Sequence, residues 1–295
     1  MRKQLRGSLA LVVASFFWGT AFSAQSYAMR FIQPFTFVFM RSVVSCLALM
    51  AARPVIDRVA GERNISVAPG IKPYLVPGAL IGLFLALATM VQQAGLVYTT
   101  PAKSGFISTL YIIIVPLMGL FMGRHVRPAL WLGLALSLVG LSLLCVQADL
   151  SVNRGDMITL GSAALYSLQI ITVSRYAAKL DPMKLSMVEF ATCAVVSGAA
   201  AFLFEAPRIE GILACWQSIL YVALFSGAVG YTLQLIGQRN TDPAVASLIM
   251  CLESVFAALG GWVLLGQSLT PRELLGCALM LSASVVAQLQ GQRAK

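Results

Sequence analysis

The chain has 295 residues, of which 59% are hydrophobic and only 11% charged, and its mean hydropathy of +0.84 is incompatible with a water-soluble domain of this size. A formal charge of +10 would suggest nucleic acid for a soluble chain. Here the basic residues punctuate long apolar runs, so nucleic acid is excluded as a partner and the charge marks topology instead.

The runs are continuous rather than alternating, which excludes a β-barrel; in lipid the backbone is then satisfied only within helices. The class is all-α integral membrane. Runs of about twenty apolar residues predict ten transmembrane helices, at Leu5–Tyr27, Gln33–Ala52, Tyr74–Leu96, Ala102–Met122, Ala129–Val146, Met157–Tyr176, Pro182–Phe204, Ile212–Ile236, Ala244–Leu265 and Pro271–Leu289. The basic start Met1-Arg2-Lys3-Gln4-Leu5-Arg6 has the charge of a signal peptide. Its apolar run continues past Trp18 for a bilayer's thickness and has a counterpart in mid-chain, so it is read as the first span.

If the N-terminus is cytoplasmic, fifteen of the 21 Lys and Arg fall on inside segments, five on outside segments, and Arg41 lies within a span. Both termini and the Arg53–Lys72 loop are therefore expected in the cytoplasm of a multi-pass inner (plasma) membrane protein. The six cysteines are scattered without CxxC spacing and read as packing residues. With His125 as the sole histidine, neither a metal site nor a His-based catalytic dyad is expected, and no cofactor.

Five helices per half place the halves in opposite orientations, so repetition between them indicates an inverted repeat. A displacement of 148 pairs Trp18 with Tyr166, Pro34 with Pro182 and Arg41 with Glu189. A displacement of 142 pairs Gln92 with Gln234, Gly95 with Gly237 and Pro101 with Pro243; after a one-residue gap Gly123 meets Gly266 and Gly133 meets Gly276. The expected units are residues 1–147 (helices one to five) and 155–292 (helices six to ten). The fifth and tenth helices, apolar almost throughout, should be peripheral, and Thr270-Pro271-Arg272-Glu273 has the form of a capping box. Polar groups place the third, fourth, sixth, eighth and ninth helices around the interior.

Phe17-Trp18-Gly19-Thr20-Ala21-Phe22, Arg41, Gly95-Leu96-Val97-Tyr98-Thr99-Thr100-Pro101-Ala102 leading into Tyr111–Pro116, and Glu253-Ser254-Val255-Phe256-Ala257-Ala258 before Gly266 together resemble the EamA-type permeases of the drug/metabolite transporter superfamily. The resemblance covers the whole chain as two repeats. It departs at Ser254 and Gln267, where the second repeat usually has proline and glutamate, and at Arg124, which replaces the corresponding glutamate of the first. It implies ten helices around a central cavity and export of small metabolites, typically amino acids, amines or drugs.

Glu253 lies ten residues past Pro243, roughly 15 Å into a core about 30 Å thick, near the midplane. A carboxylate there is a candidate for proton exchange or for binding a substrate ammonium; the bland reading is a protonated acid bonding across helices. Arg41 and Glu189 each follow their matched prolines by seven residues, about 10 Å deep from opposite faces. Arg41 can hold a substrate carboxylate or close the outer side, with Glu189 complementary on the inner side. Snorkelling of each to its own interface is the other reading. Gln92, Gln93, Gln169 and Gln234, with Ser104, Ser108, Thr109, Tyr111 and Ser247, form a candidate polar lining, against the alternative of inter-helix hydrogen bonding. Trp18 and Tyr166 are candidate cavity walls or ordinary packing. Pro116 can kink the fourth helix.

The sequence therefore points to a secondary transporter, an exporter of amino acids, amines or related drugs by alternating access, with protons as a candidate coupling ion and a monomer or homodimer as the assembly. A sugar or nucleoside permease of the same fold is the near alternative. A multi-pass acyl or glycosyl transferase is the distant one, but it needs an acid/base cluster near one interface, whereas the five aspartates are dispersed among loops and helix ends. No Walker A loop is present to drive transport with ATP, and rings of like charge suited to a channel are missing.

Overall fold

In the computed structural model, residues 2–60, 70–99, 101–123, 128–145, 153–239, 241–265 and 270–292 are described. Among them there is no strand, and eight helices are long and apolar enough to cross a membrane. The first three are α1 (Arg2–Ala28), α2 (Pro34–Ala60) and α3 (Lys72–Leu96), followed by the half-helices α4 (Pro101–Ser108) and α5 (Tyr111–Phe121) and by α6 (Pro128–Cys145). The second half runs α7 (Arg154–Tyr176), α8 (Pro182–Phe204), the short α9 (Ile209–Ala214) and α10 (Trp216–Tyr221), a π-helical segment Val222–Tyr231, and α11 (Thr232–Gln238). It ends with the half-helices α12 (Pro243–Met250) and α13 (Glu253–Leu265), then α14 (Pro271–Gln292).

Local chemistry sets the helix starts. Six of these helices begin on proline, which lacks an N–H that the first turn could not use. Asn153, Asp181 and Asp242 cap α7, α8 and α12, and Asn153 with Asp156 makes a reciprocal capping box. Thr270 and Glu273 make the box expected from sequence: Thr270 N donates to Glu273 Oε2 at 2.7 Å, and Glu273 N donates to Thr270 Oγ1 at 3.3 Å.

Three predicted spans are not the continuous helices expected of them. The fourth breaks at residues 109–110 and the ninth at 251–252. At each break the bonding tightens to three-residue spacing: Ile112 N donates to Thr109 O at 3.0 Å, Leu252 N to Ile249 O at 3.1 Å, and Ser254 N to Cys251 O at 3.2 Å. The Ser108 and Thr109 hydroxyls turn back onto Ser104 O (2.7 Å) and Phe106 O (2.8 Å), a pattern that bends helices. Pro116 therefore does not mark the discontinuity; it sits inside α5, downstream of it. The eighth span carries the π-helical stretch.

α2 packs on α8, and α3 packs on both α7 and α8. α1 lies against α11, α13 and the π-helical segment, while α6 and α14 pair with each other to one side. Gly19 of the Trp-Gly motif explains the approach of α1 to α13: a Cβ there would stand 2.7 Å from Ala257 N and 2.8 Å from Phe256 Cβ. The end of the fifth span at Val146, together with Arg124, His125, Gly266 and Gln267, lies outside the described residues.

Candidate functional site

The two helix breaks meet at one buried cavity. Tyr111 opens α5 and Glu253 opens α13, the Tyr111 hydroxyl donates to Glu253 Oε1 at 3.5 Å, and both line the cavity. The positions are 142 residues apart, one of the displacements that aligns the halves. Trp18, Arg41, Gln92, Gln169 and Gln234 line the same space, so seven of the eight candidate residues share a single wall.

Glu189 does not reach that wall. It is fully buried in α8 behind Gln169, whose Nε2 donates to Glu189 Oε1 at 3.1 Å, and its Oε2 has no partner. Gln169 and Gln234 exchange amide bonds at 3.3 and 3.0 Å, tying α7 to α11. Arg41 and Glu189 form no ion pair among the described residues.

Arg41 is only 3% exposed, and its Nε and Nη2 have no hydrogen-bond partner. An unsatisfied buried polar group costs about 1–3 kcal/mol. Gln25, also on the wall, has an unpartnered Oε1. The unmet Nε and Nη2 of Arg41 and Oε1 of Gln25 thus border one space, which a polar solute or water satisfies, while other such atoms, those of Gln93, Ser104, Ser174, Glu189, Gln238 and Ser254, lie away from it. The cavity has a water-accessible volume of about 40 Å³, room for roughly three waters at about 10–15 Å³ each. That volume is too small for a solute of several heavy atoms.

Trp18 and Tyr166 both line the cavity; Trp18 packs against Tyr231 with ring centroids 5.0 Å apart and planes tilted by 49°, and Tyr231 in turn meets Phe190 edge-on at 5.7 Å. The Trp18 indole N–H donates to Ser226 O at 3.0 Å, a carbonyl within the π-helical segment. Tyr166 instead donates to Gln92 Oε1 at 2.9 Å. Tyr231 and Gln25 are not marked by the sequence alone. Tyr231 is hidden in an apolar run and Gln25 falls near a helix end; a polar atom on the helix face shared with a known lining residue is the signal that finds Gln25, seven residues after Trp18.

The smaller hydroxyl residues expected on the wall neither line the cavity nor bond across helices. Ser108, Thr109 and Ser247 bond to carbonyls of their own helices, Gln93 points its amide at Met29 Sδ 3.9 Å away, and none of these or Ser104 lines the cavity. Among the described residues no cluster of metal-ligating side chains is present.

Comparison with known proteins bears on what such a cavity does. The model of the EamA-like transporter family matches residues 5–146 and again 153–288. An uncharacterized transporter of Archaeoglobus fulgidus is 26% identical over 98% of this chain and 87% of its own length. The threonine/homoserine exporter RhtA of Escherichia coli K12 is 30% identical over 58% of each chain. The uncharacterized inner membrane transporter YedA of the same strain is 28% identical over 75% of this chain and 73% of its own. One crystal structure superposes with a TM-score of 0.76 over 98% of both chains at 20% identity, a likeness of fold alone.

Proposed function

This chain belongs to the EamA-like transporter family and is a multi-pass membrane transporter, and on that premise we propose that it exports amino acids or related amines across the bacterial inner membrane by alternating access. The observation that carries the reading is the cavity itself: the unpaired Nε and Nη2 of Arg41 and the Glu253 carboxylate share one small polar space inside an apolar bundle. An amino acid brings a counter-charge for each, its carboxylate for Arg41 and its ammonium for Glu253. A sugar or nucleoside supplies neither, and would leave both groups buried without a counter-charge. RhtA, a named threonine/homoserine exporter, supports the same substrate class.

The architecture proposed for this cycle is ten spans, with α6 and α14 as the fifth and tenth, in two inverted repeats over residues 1–147 and 155–292. The breaks support it. Ser108 and Tyr111 bound the first and Met250 and Glu253 the second, both pairs displaced by 142. Discontinuous helices at corresponding positions of two halves are where inverted-repeat transporters bind substrate. The distribution of basic residues favours both termini in the cytoplasm. Protons are the proposed coupling ion, with Glu253 as the acid that faces the cavity.

Counterflow in proteoliposomes tests the reading. Unlabelled amino acid inside the vesicles should accelerate uptake of labelled amino acid severalfold over vesicles without it. Acceleration by sugars or nucleosides, with none by amino acids or amines, would replace it with the alternative permease.

A further inference from the structure

Two helix crossings stand on either side of the cavity, and each is made by a pair of glycines. At one, α1 meets α11: a Cβ on Gly7 would lie 3.0 Å from Gly237 O, and one on Gly237 would lie 2.8 Å from Gly7 O. At the other, α7 meets α3: a Cβ on Gly155 would lie 2.6 Å from Gly95 O, and one on Gly95 would lie 2.9 Å from Gly155 O. A displacement of 148 carries Gly7 to Gly155, and 142 carries Gly95 to Gly237. Each crossing lies eleven residues before an aromatic of the cavity wall, Trp18 or Tyr166, which is about 16 Å of helix. With five spans between Gly7 and Gly155, the crossings fall on opposite faces of the membrane.

The chemistry beside the two glycine pairs is not the same. Next to Gly155, Asp156 is 6% exposed; its Oδ1 accepts the Thr99 hydroxyl at 2.5 Å, and its Oδ2 lies 3.8 Å from Lys103 Nζ. It therefore ties α7 to the α3–α4 connection. The same displacements put Ser8, Thr241 and Val245 at the other crossing. There the Thr241 hydroxyl donates at 2.8 Å to Gly237 O, a carbonyl of the helix it follows, so it bridges nothing. Among the described residues, one crossing is tied by a charged side chain, whereas at its twin the corresponding hydroxyl stays on its own helix.

We propose that Asp156 is a latch that holds the cavity shut on the face of the Gly95–Gly155 crossing, and that releasing it from Thr99 and Lys103 is the step that opens the cavity to the outside. The inference rests on the transporter reading above. Its consequence is directional. A bundle with that tie on one face rests with the other, cytoplasmic side as the easier one to open, which suits loading from the cytoplasm before export. Each cycle then spends substrate or coupling energy on the outer face alone.

Thiol accessibility tests the latch without requiring transport. In a background whose native cysteines are replaced, a single cysteine is placed at Phe22 on the cavity wall, and a cysteine at exposed Arg154 marks the Asp156 face. A membrane-impermeant maleimide is applied from each side of the membrane. From the face that labels position 154, Asp156→Asn should raise the labelling rate at position 22 about tenfold, the size of a population shift when one such tie is lost. Lys103→Gln should raise it less, and Asp156→Glu should restore it towards the parent rate.

An Asp156→Asn protein of normal abundance that labels at the parent rate overturns the latch. So does an equal rise from both faces, which would mean that the acid only caps α7. Should Asp156→Asn fail to accumulate, Lys103→Gln and Thr99→Val leave the capping box intact, and unchanged labelling in both overturns the proposal equally. Counterflow is measured separately in the same variants. Its absence in the parent would sink the transport reading, whereas labelling alone decides the latch.

Discussion

Glu253 and Glu189 are both carboxylates inside apolar helices, 7% and 0% exposed, yet their surroundings differ in kind. Glu253 starts a half-helix at a break and faces the cavity beside Tyr111. Glu189 sits within an unbroken helix, accepts from the amide of Gln169 and does not line the cavity. Burial therefore does not by itself make an acid a transport residue. A proton or a substrate ammonium must be able to arrive, and only Glu253 borders a space through which it can.

The largest test of this contrast is Glu253→Gln, which keeps volume and hydrogen bonding but removes titration. With the ammonium's partner and the titrating group both removed, exchange at equal concentrations should fall about tenfold or more, and uphill accumulation driven by a pH gradient further still, because only the latter also needs protonation to change between states. If exchange persists while accumulation is lost, Glu253 carries the proton alone and the ammonium is held elsewhere; wild-type accumulation would leave it as a structural hydrogen-bonding residue.

Arg41→Gln should come next. Loss of a charge-assisted pair worth roughly 1.5–3 kcal/mol raises KM for amino acids about ten- to hundredfold, and amines lacking a carboxylate should be much less affected. An equal loss for both ligand classes would return Arg41 to a packing or gating role.

Glu189→Leu should show in stability rather than selectivity. The Gln169 amide loses its acceptor at a cost of about 1–3 kcal/mol, read as a lower thermal midpoint in detergent, with Glu189→Gln close to the parent and exchange retained in both. Abolished exchange in a stable Glu189→Gln protein would erase the distinction between the two acids. Tyr111→Phe is the mildest. Removing a hydroxyl whose bond to Glu253 is 3.5 Å long should alter exchange about threefold, near the lower end of what one neutral hydrogen bond contributes.

Much of this was legible in the residues. The apolar runs imposed helices, because lipid leaves the backbone no other partner. Arg41, Glu253 and the mid-span glutamines stood out because polar groups in such runs are costly unless they face something polar. The matched prolines Pro101 and Pro243 even located the starts of α4 and α12. Tyr231 and Gln25 did not stand out, since a tyrosine within an apolar run and a glutamine near a helix end carry no periodic signal.

The sequence by itself thus determined the solvent of the fold and its helical class, since each follows from the composition of single contiguous segments. Only the tertiary structure decided which polar residues face a common space. The breaks at 109–110 and 251–252 turn Tyr111 and Glu253 towards each other, Gln169 stands between Glu189 and the cavity, and Asp156 reaches Thr99 across two helices. Those outcomes depend on the rotation and close approach of helices far apart in the chain, which side-chain contacts set and local periodicity does not encode.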